Sequence, residues 1–312
     1  MAETQSDLPP VVGPDNDDNI TGLLEVEPSP VAETPAEFKE AYFPPQQQQQ
    51  PQRTSTLGLS SHGPAYWLVR AQKYSSYAFT VFAASHIANV ALIPLATRSV
   101  VESNRYLLLT RPYYQSALTE PIVVSLPLAV HIVSGIALRL YRRRQALTRY
   151  GAETQRDRKT IPWPAVSGTS ALGYALVPLA GFHFWSTRIL PMYMHGDNSL
   201  ISLSYISHGF WRHPLVSFAG FTALVGIGTW HITWGWAKWL GLSPTQVKES
   251  ESRRNLIKKR RWYGINAVSA LVTALWLAGG LGIVGRGGKT DGWIGREFDQ
   301  LYDTMPILGR KS

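Results

Sequence analysis

The sequence predicts an all-α polytopic membrane protein with five transmembrane helices, the first four as two repeated helix pairs, preceded by a disordered N-terminal tail. Two observations predict this fold class. Asp, Glu, Lys and Arg are absent from five long stretches, and these stretches share sequence motifs in pairs. The mean hydropathy of the 312 residues is near zero (−0.08) because the charges are concentrated between the stretches and in the tail.

The five charge-free stretches are long enough, or nearly so, to cross a bilayer. They are 24, 18, 28, 25 and 24 residues long and comprise residues 74–97, 121–138, 160–187, 213–237 and 262–285. About 20 helical residues cross a hydrocarbon core of ~30 Å, and snorkelling by Arg139 lengthens the shortest stretch. Five buried helices of a soluble protein are the alternative, but such helices usually keep a polar face. Membrane β-strands would alternate in hydropathy, which these stretches do not.

Composition divides the chain into three parts. Residues 1–64 form an acidic tail whose Pro, Ser and Gln content is typical of disorder. Residues 65–285 form the five-helix domain, and residues 286–312 form a C-terminal tail. In this tail, apolar spacing predicts a helix that lies in the membrane interface or folds back on the bundle. Its apolar face comprises Ile294, Phe298, Leu301, Tyr302 and Met305.

Several functional classes lack their sequence signals. The chain has no cysteine, which excludes disulfides, iron–sulfur clusters and thiolate zinc sites. Residues 1–50 hold ten acidic residues and one basic residue, unlike a secretory signal or a matrix presequence. We therefore expect any targeting signal in the membrane domain. Nucleotide-binding loops, metalloprotease helices and nucleophile elbows are absent, so we expect neither an enzyme nor a nucleic-acid-binding protein.

Basic residues predict the orientation of the chain. The loops of residues 141–163 and 241–261 contain seven Lys or Arg each, whereas the loops on the opposite side contain five in total. Because basic loops remain in the cytosol, we expect a cytosolic N-terminal tail and a C-terminus across the membrane. The same two loops would face anionic lipid headgroups.

The charge-free stretches contain an internal repeat. Residues 77–94, YAFTVFAASHIANVALIP, align without a gap with residues 174–191, YALVPLAGFHFWSTRILP, at an offset of 97. HIVSG at residues 131–135 matches HITWG at residues 231–235 at an offset of 100. Two matches in the same order predict a duplicated two-helix unit followed by a fifth helix. Two helices per unit make such repeats parallel rather than inverted.

Four histidines lie inside the stretches: His86, His131, His183 and His231. Ionisable residues within a membrane usually face the bundle interior. One interpretation is neutral histidines that hydrogen-bond between helices, with no cofactor. The other is ligation of haem b, in which the glycines of the HxxxG motifs admit the flat macrocycle. Distances to the flanking arginines place His86 and His131 at nearly the same depth, so these two would bind one haem.

The acidic tail contains one patterned segment, LEVEPSPVAE, at residues 24–33. Leu24, Val26, Pro28 and Pro30 are spaced by two, as one face of an extended or polyproline-like segment requires. Proline fixes φ, so the segment loses less conformational entropy when it binds. We predict that it docks in a groove or on a sheet edge of a partner. An inert linker is the alternative.

The five stretches, the paired histidine motifs and the PxP segment together resemble a fungal mitochondrial outer-membrane adaptor family. That family recruits a bridge-like lipid-transfer protein of the vacuolar-protein-sorting type, whose adaptor-binding domain docks on a PxP motif. The resemblance covers residues 65–305 and 23–31, and its membrane domain is similar to the cytochrome b anchor subunits of succinate dehydrogenase. Either leucine would serve as an anchor of the motif. The residues that match the motif are Leu23, Leu24, Val26, Pro28, Pro30 and Val31.

Together, the sequence and the resemblance predict a multi-pass adaptor of the mitochondrial outer membrane. Its tail would recruit the lipid-transfer protein to membrane contact sites and so support mitochondrial lipid homeostasis. The C-terminus would lie in the intermembrane space. Polar residues in the stretches suggest that the bundle also scrambles lipids between leaflets. A b-type haem-binding membrane cytochrome, or a redox-complex anchor, is the alternative function.

Overall fold

A computed structural model describes residues 63–306 and residue 308. These residues form helices joined by loops, and no strand occurs among them. Three of the helices contain a π-helical segment, in which an extra residue widens the turn. The nine helices of the described residues are α1 (Pro64–Ile87, π-helical Ala88–Leu92 and Ile93–Thr97), α2 (Val100–Gln115), α3 (π-helical Glu120–Ser125 and Leu126–Arg149), α4 (Gln155–Thr160), α5 (Gly168–Phe184, π-helical Trp185–Ile189 and Leu190–His195), α6 (Leu203–Arg212), α7 (Pro214–Trp239), α8 (Glu251–Gly287) and α9 (Gly292–Thr304).

Four of these helices are long and apolar enough to cross a membrane. They correspond to the first, second, fourth and fifth charge-free stretches. Their ranges are Pro64–Thr97, Glu120–Arg149, Pro214–Gln246 and Arg253–Gly287. Large apolar side chains on their surfaces are exposed, as lipid-facing residues are. The prediction of an all-α protein with several membrane-spanning helices is therefore confirmed.

The third stretch folds differently from its prediction. We expected it to begin at Thr160, but α5 begins at Gly168. Pro162 and Pro164 disfavour helix in the residues that precede them, and Ile161 accordingly has ψ of 121°. Together with its π-helical and final segments α5 is as long as a span, but it does not meet the hydropathy criterion that the other four satisfy.

The bundle consists of two helix pairs and one further long helix. α1 packs along α3, and α5 packs along α7. α8 packs against α6, α7 and the π-helical segment of α1. Gly279 of α8 makes the closest approach, because a Cβ atom there would lie 2.0 Å from the carbonyl oxygen of Ala91. The α1 backbone therefore lies directly against α8 at this glycine.

The helices end at two different surfaces. The first, here called the basic end, comprises residues 141–163 and 241–261 with the start of α1, where Lys73 Nζ donates to Trp239 O at 3.4 Å. The second, here called the capped end, comprises α2, α6 and α9, which lie across the opposite ends of the long helices. There Arg286 Nη2 of α8 donates to Pro94 O of α1 at 3.2 Å.

The capped end has its own buried cluster. α9 packs on α6 through Phe298, Leu301, Tyr302 and Met305, the apolar face identified in the sequence, and Ile294 packs beside them. Tyr302 stacks on Tyr205 with ring centroids 4.8 Å apart. The helix therefore packs on the capped end of the bundle, and its position relative to the membrane interface stays a prediction.

Candidate functional site

The PxP motif of the tail precedes the part of the chain that the structure describes. Its assignment therefore remains a prediction. The motif residues outside the described range are Leu23, Leu24, Val26, Pro28, Pro30 and Val31.

The four membrane histidines meet between the two helix pairs, in what is here called the histidine seam. The ring centroids of His86 in α1 and His183 in α5 are 5.9 Å apart. Those of His131 in α3 and His231 in α7 are 6.1 Å apart. His86 and His131, the predicted axial ligands of one haem, do not contact each other in the described structure, and because axial ligands lie on opposite faces of a haem, their ligation stays a prediction. Each histidine instead contacts its counterpart at the repeat offset of the sequence.

Two of the histidines are held in equivalent ways. His131 Nδ1 donates to Gln72 O of α1 at 3.1 Å, and His231 Nδ1 donates to Thr169 O of α5 at 2.9 Å. The donor follows from the acceptor, since a carbonyl oxygen cannot donate. The donors are 100 residues apart and the acceptors 97 residues apart, the offsets of the two sequence matches. Each bond joins the two helices of one pair, as expected for structural histidines in a membrane.

The HxxxG glycines have a contact other than the predicted one. A Cβ atom at Gly135 would lie 2.8 Å from Gln72 Nε2, whereas one at Gly235 would meet nothing within 4 Å. Gly135 thus admits the neighbouring helix α1. Gly173 of α5 has a comparable role, because its Cβ would lie 2.8 Å from the ring of His231.

The π-helical segments also recur at the repeat offset. Ala88–Leu92 of α1 and Trp185–Ile189 of α5 are 97 residues apart at both boundaries. Asn89 in the first is 2% exposed, and its Nδ2 donates to Ser85 O at 2.9 Å and to Thr110 Oγ1 at 2.8 Å. Its Oδ1 has no partner. Wide turns of this kind are frequent at functional positions and leave polar backbone atoms for other partners.

The outer face of the second helix pair contains an apolar groove. It has a volume of about 720 Å³ and is lined by α5 and α7 residues that include Leu172, Phe218, Ala223 and Trp230. Its apolar lining suits an acyl chain.

Some interacting residues carried no sequence signal. The acceptors Gln72 and Thr169 use backbone oxygens, which any residue type provides. The stack of Tyr77 on Trp236, with centroids 4.8 Å apart, joins the two helix pairs near the basic end. Neither aromatic residue stands out among the 11 Trp and 14 Tyr of the chain.

Comparison with known proteins found one similarity. The family model for the transmembrane domain of MDM10-complementing protein 1 matches residues 178–289, from within α5 to just beyond α8. No curated protein and no solved structure matches the chain. The family match and the apolar helices together support a multi-pass protein similar to a mitochondrial membrane family.

Proposed function

We propose that this protein is an adaptor of the mitochondrial outer membrane that recruits a lipid-transfer protein of the vacuolar-protein-sorting type to membrane contact sites. The helical bundle anchors the chain, and the PxP segment of the tail binds the partner. Recruitment at this site supports mitochondrial lipid homeostasis.

One structural observation supports the role of the tail more than any other: α1 begins at the basic end. Lys73, nine residues into α1, donates to Trp239 O near the end of α7, so the start of α1 at Pro64 lies further out on the same side. Basic loops remain cytosolic in most membrane proteins, so the tail that precedes Pro64 emerges on the cytosolic side and the C-terminus faces the intermembrane space. Val31 lies 33 residues before Pro64 (64 − 31). This length of chain separates the motif from the first helix and leaves room for a large partner.

The recruitment test uses the two motif prolines. Pro28→Ala combined with Pro30→Ala abolishes partner recruitment while membrane insertion is unchanged, measured by co-purification and by carbonate extraction. Pro9→Ala combined with Pro10→Ala is the matched control, because it removes two prolines from the same tail. Normal recruitment by the Pro28/Pro30 variant would refute the motif. Protease added to intact mitochondria must also cut the tail, since a protected tail would face no cytosolic partner.

For the bundle, we propose five crossings, with α5 as the third, arranged as two parallel repeats and a final helix. The matching hydrogen bonds and π-helical segments support the repeat. We also propose that the histidine seam helps lipid headgroups cross between leaflets, because it supplies polar groups at depth in the bundle. Purified protein in liposomes should accelerate lipid flipping above the background rate, and a background rate would contradict this role.

The haem alternative has a separate readout. A Soret band in the purified protein would favour a b-type cytochrome, and a colourless preparation would favour the adaptor. His131→Ala is expected to affect folding or pigment and to leave recruitment by the tail unchanged.

A further inference from the structure

A second candidate site lies at the basic end, and none of its lining residues belongs to the histidine seam. A cavity of about 400 Å³ opens between the last turns of α3 and the short helix α4. Its polar lining comes from Arg143, Arg144, Thr148 and Arg158. Leu140 and Leu147 form an apolar wall beside these residues. The cavity therefore combines a cationic part with an apolar part.

Arg143 is the buried member of the cationic part, with 7% of its surface exposed. Its Nη1 donates to Ile161 O and Pro162 O, both at 2.9 Å, and its Nη2 donates to Arg158 O at 2.5 Å. The guanidinium carbon lies 4.9 Å from the ring centroid of Trp163. These contacts fix the position of the guanidinium but bring no negative charge to it. Its Nε–H and one Nη2–H are left for another acceptor.

The positive charge at the cavity has no counter-charge from the described residues. Arg143, Arg144 and Arg158 form no ion pair with any carboxylate in the part of the chain that the structure describes. Asp157, next to Arg158 in sequence, is bonded elsewhere: its Oδ2 accepts from Thr154 N at 2.8 Å. A buried cation without a counter-ion is unfavourable, so an anionic ligand would stabilise this site.

The location of the cavity suits a phospholipid. The charge-free part of α3 ends at Leu138, and Arg144 lies six residues later. Six helical residues correspond to about 9 Å, which places Arg144 at the outer edge of a headgroup layer of about 5–8 Å beyond the hydrocarbon core. Leu140 is 56% exposed and lies between that core and the arginines. An acyl chain in contact with Leu140 would thus leave its phosphate beside the guanidinium groups.

We propose that this cavity binds the phosphate group of an anionic phospholipid. Arginine is suited to this ligand, because its planar donors match phosphate oxygens in pairs. The apolar wall favours a lipid over a free phosphate ion, which has the same charge but no chain. The site is independent of the tail motif and requires no partner protein.

The test compares ligands on the purified full-length protein in a neutral detergent. Short-chain phosphatidic acid should raise the thermal unfolding midpoint, whereas short-chain phosphatidylcholine and inorganic phosphate at equal concentration should not. Arg144→Gln combined with Arg158→Gln should weaken phosphatidic acid binding about tenfold or more, through the loss of two charge-assisted contacts. Arg143 is left unchanged in this variant and in the control below, because its bonds hold the loop that follows α4.

The matched control is Arg142→Gln combined with Arg149→Gln. It removes the same charge from exposed positions of the same helix that do not line the cavity. If both double variants lost the same affinity for phosphatidic acid, the binding would depend on general charge attraction, and the assignment of the cavity as the site would be overturned. An equal response to inorganic phosphate would overturn the lipid assignment, and an absence of response to any phosphate would overturn the proposal.

Discussion

The two ends of the bundle use their arginines in different ways. At the capped end, Arg188 forms a bidentate pair with Glu120, and Arg212 pairs with Asp299 and Asp303. At the basic end, Arg139, Arg143 and Arg261 donate to backbone carbonyls, and these bonds bring no negative charge to the three guanidinium groups. Two arginines of the capped end are thus neutralised within the protein, although Arg286 there donates to a carbonyl, whereas Arg143, Arg144 and Arg158 at the basic end have no carboxylate partner among the described residues.

The comparison indicates that the residues important for stability and those available for ligand binding lie at opposite ends of the bundle. Buried polar contacts at the capped end stabilise the fold, since removal of one partner leaves another uncompensated. Charged side chains at the basic end contribute little to folding when they are exposed. Substitutions should accordingly affect stability more at or near the capped end and ligand binding more at the basic end.

The largest expected effect on stability is the difference between alanine substitutions at two glycines of α8. Gly279→Ala would place a Cβ atom 2.0 Å from Ala91 O, a backbone atom that cannot move alone, and should lower the free energy of unfolding by ~1–3 kcal/mol. Gly264→Ala, nearer the basic end of the same helix, meets nothing within 4 Å and should not destabilise the protein. Unfolding midpoints of the purified variants measure the difference, and equal midpoints would contradict the packing of α1 on α8.

High pH should loosen the capped end. Burial raises the pKa of Tyr302 well above its ordinary value of 10.0 and also raises that of Tyr205. The raised pKa values mean that the folded state favours the neutral phenols. Their contribution to the free energy of unfolding is therefore complete below about pH 10 and is lost as the pH rises further. Tyrosinate absorbance and the rate of proteolysis of α9 should increase over the same pH range, because both report the release of α9 from α6. Tyr302→Phe should move the release to higher pH, and an unchanged profile would contradict this cause.

A smaller effect is expected from the ion pairs of α9. Asp299 accepts from Arg212 Nη1 at 2.5 Å and from His208 Nε2 at 3.0 Å, and His208 is fully buried. Asp299→Asn should cost ~1–2 kcal/mol through the loss of charge-assisted bonds, because one third of the Asp299 side chain is exposed and its charge is partly screened. Glu102→Gln is the control, since its pair with Arg105 is exposed and worth less than ~1 kcal/mol. If Asp299→Asn were as stable as the control, the inferred contribution of the Asp299 bonds to the packing of α9 on α6 would be contradicted.

The smallest effect concerns α4 at the basic end. Hydrogen bonds from Thr154, backbone first and then hydroxyl, lower the pKa of Asp157 below its ordinary value of 3.8. A lowered carboxyl pKa adds stability above pH ~4 that is lost as the pH falls further. Asp157→Asn should therefore speed amide exchange in α4 near neutral pH without changing global unfolding. A changed global unfolding midpoint would show that this end contributes more to folding than we infer.

The sequence predicted the elements whose signal is local. Charge-free stretches identified the apolar spanning helices, and spacing identified the face of α9 that includes Phe298. The pairing of histidines was different, because distance to a flanking arginine gives depth along a helix but not the direction in which a side chain points. His86 therefore contacts His183 rather than His131.

Other features could not be predicted because they depend on backbone atoms. A π-helical turn such as Ala88–Leu92 leaves no distinct residue pattern, although a proline follows it by two residues in both repeats, as Pro94 and Pro191. The bonds of Arg143 to carbonyls of the following loop depend on the path of that loop, which Pro162 and Pro164 restrict without determining. In the sequence, Arg143 could not be distinguished from the other six basic residues of the loop 141–163.

The contact of α6 with α9 has a consequence for biosynthesis. His208 and Asp299 are 91 residues apart, and both α7 and α8 are translated between them. The face of α6 that packs on α9 is therefore completed only after α7 and α8 have been translated. A chain truncated before α9 would leave the Tyr205 ring without its stack on Tyr302.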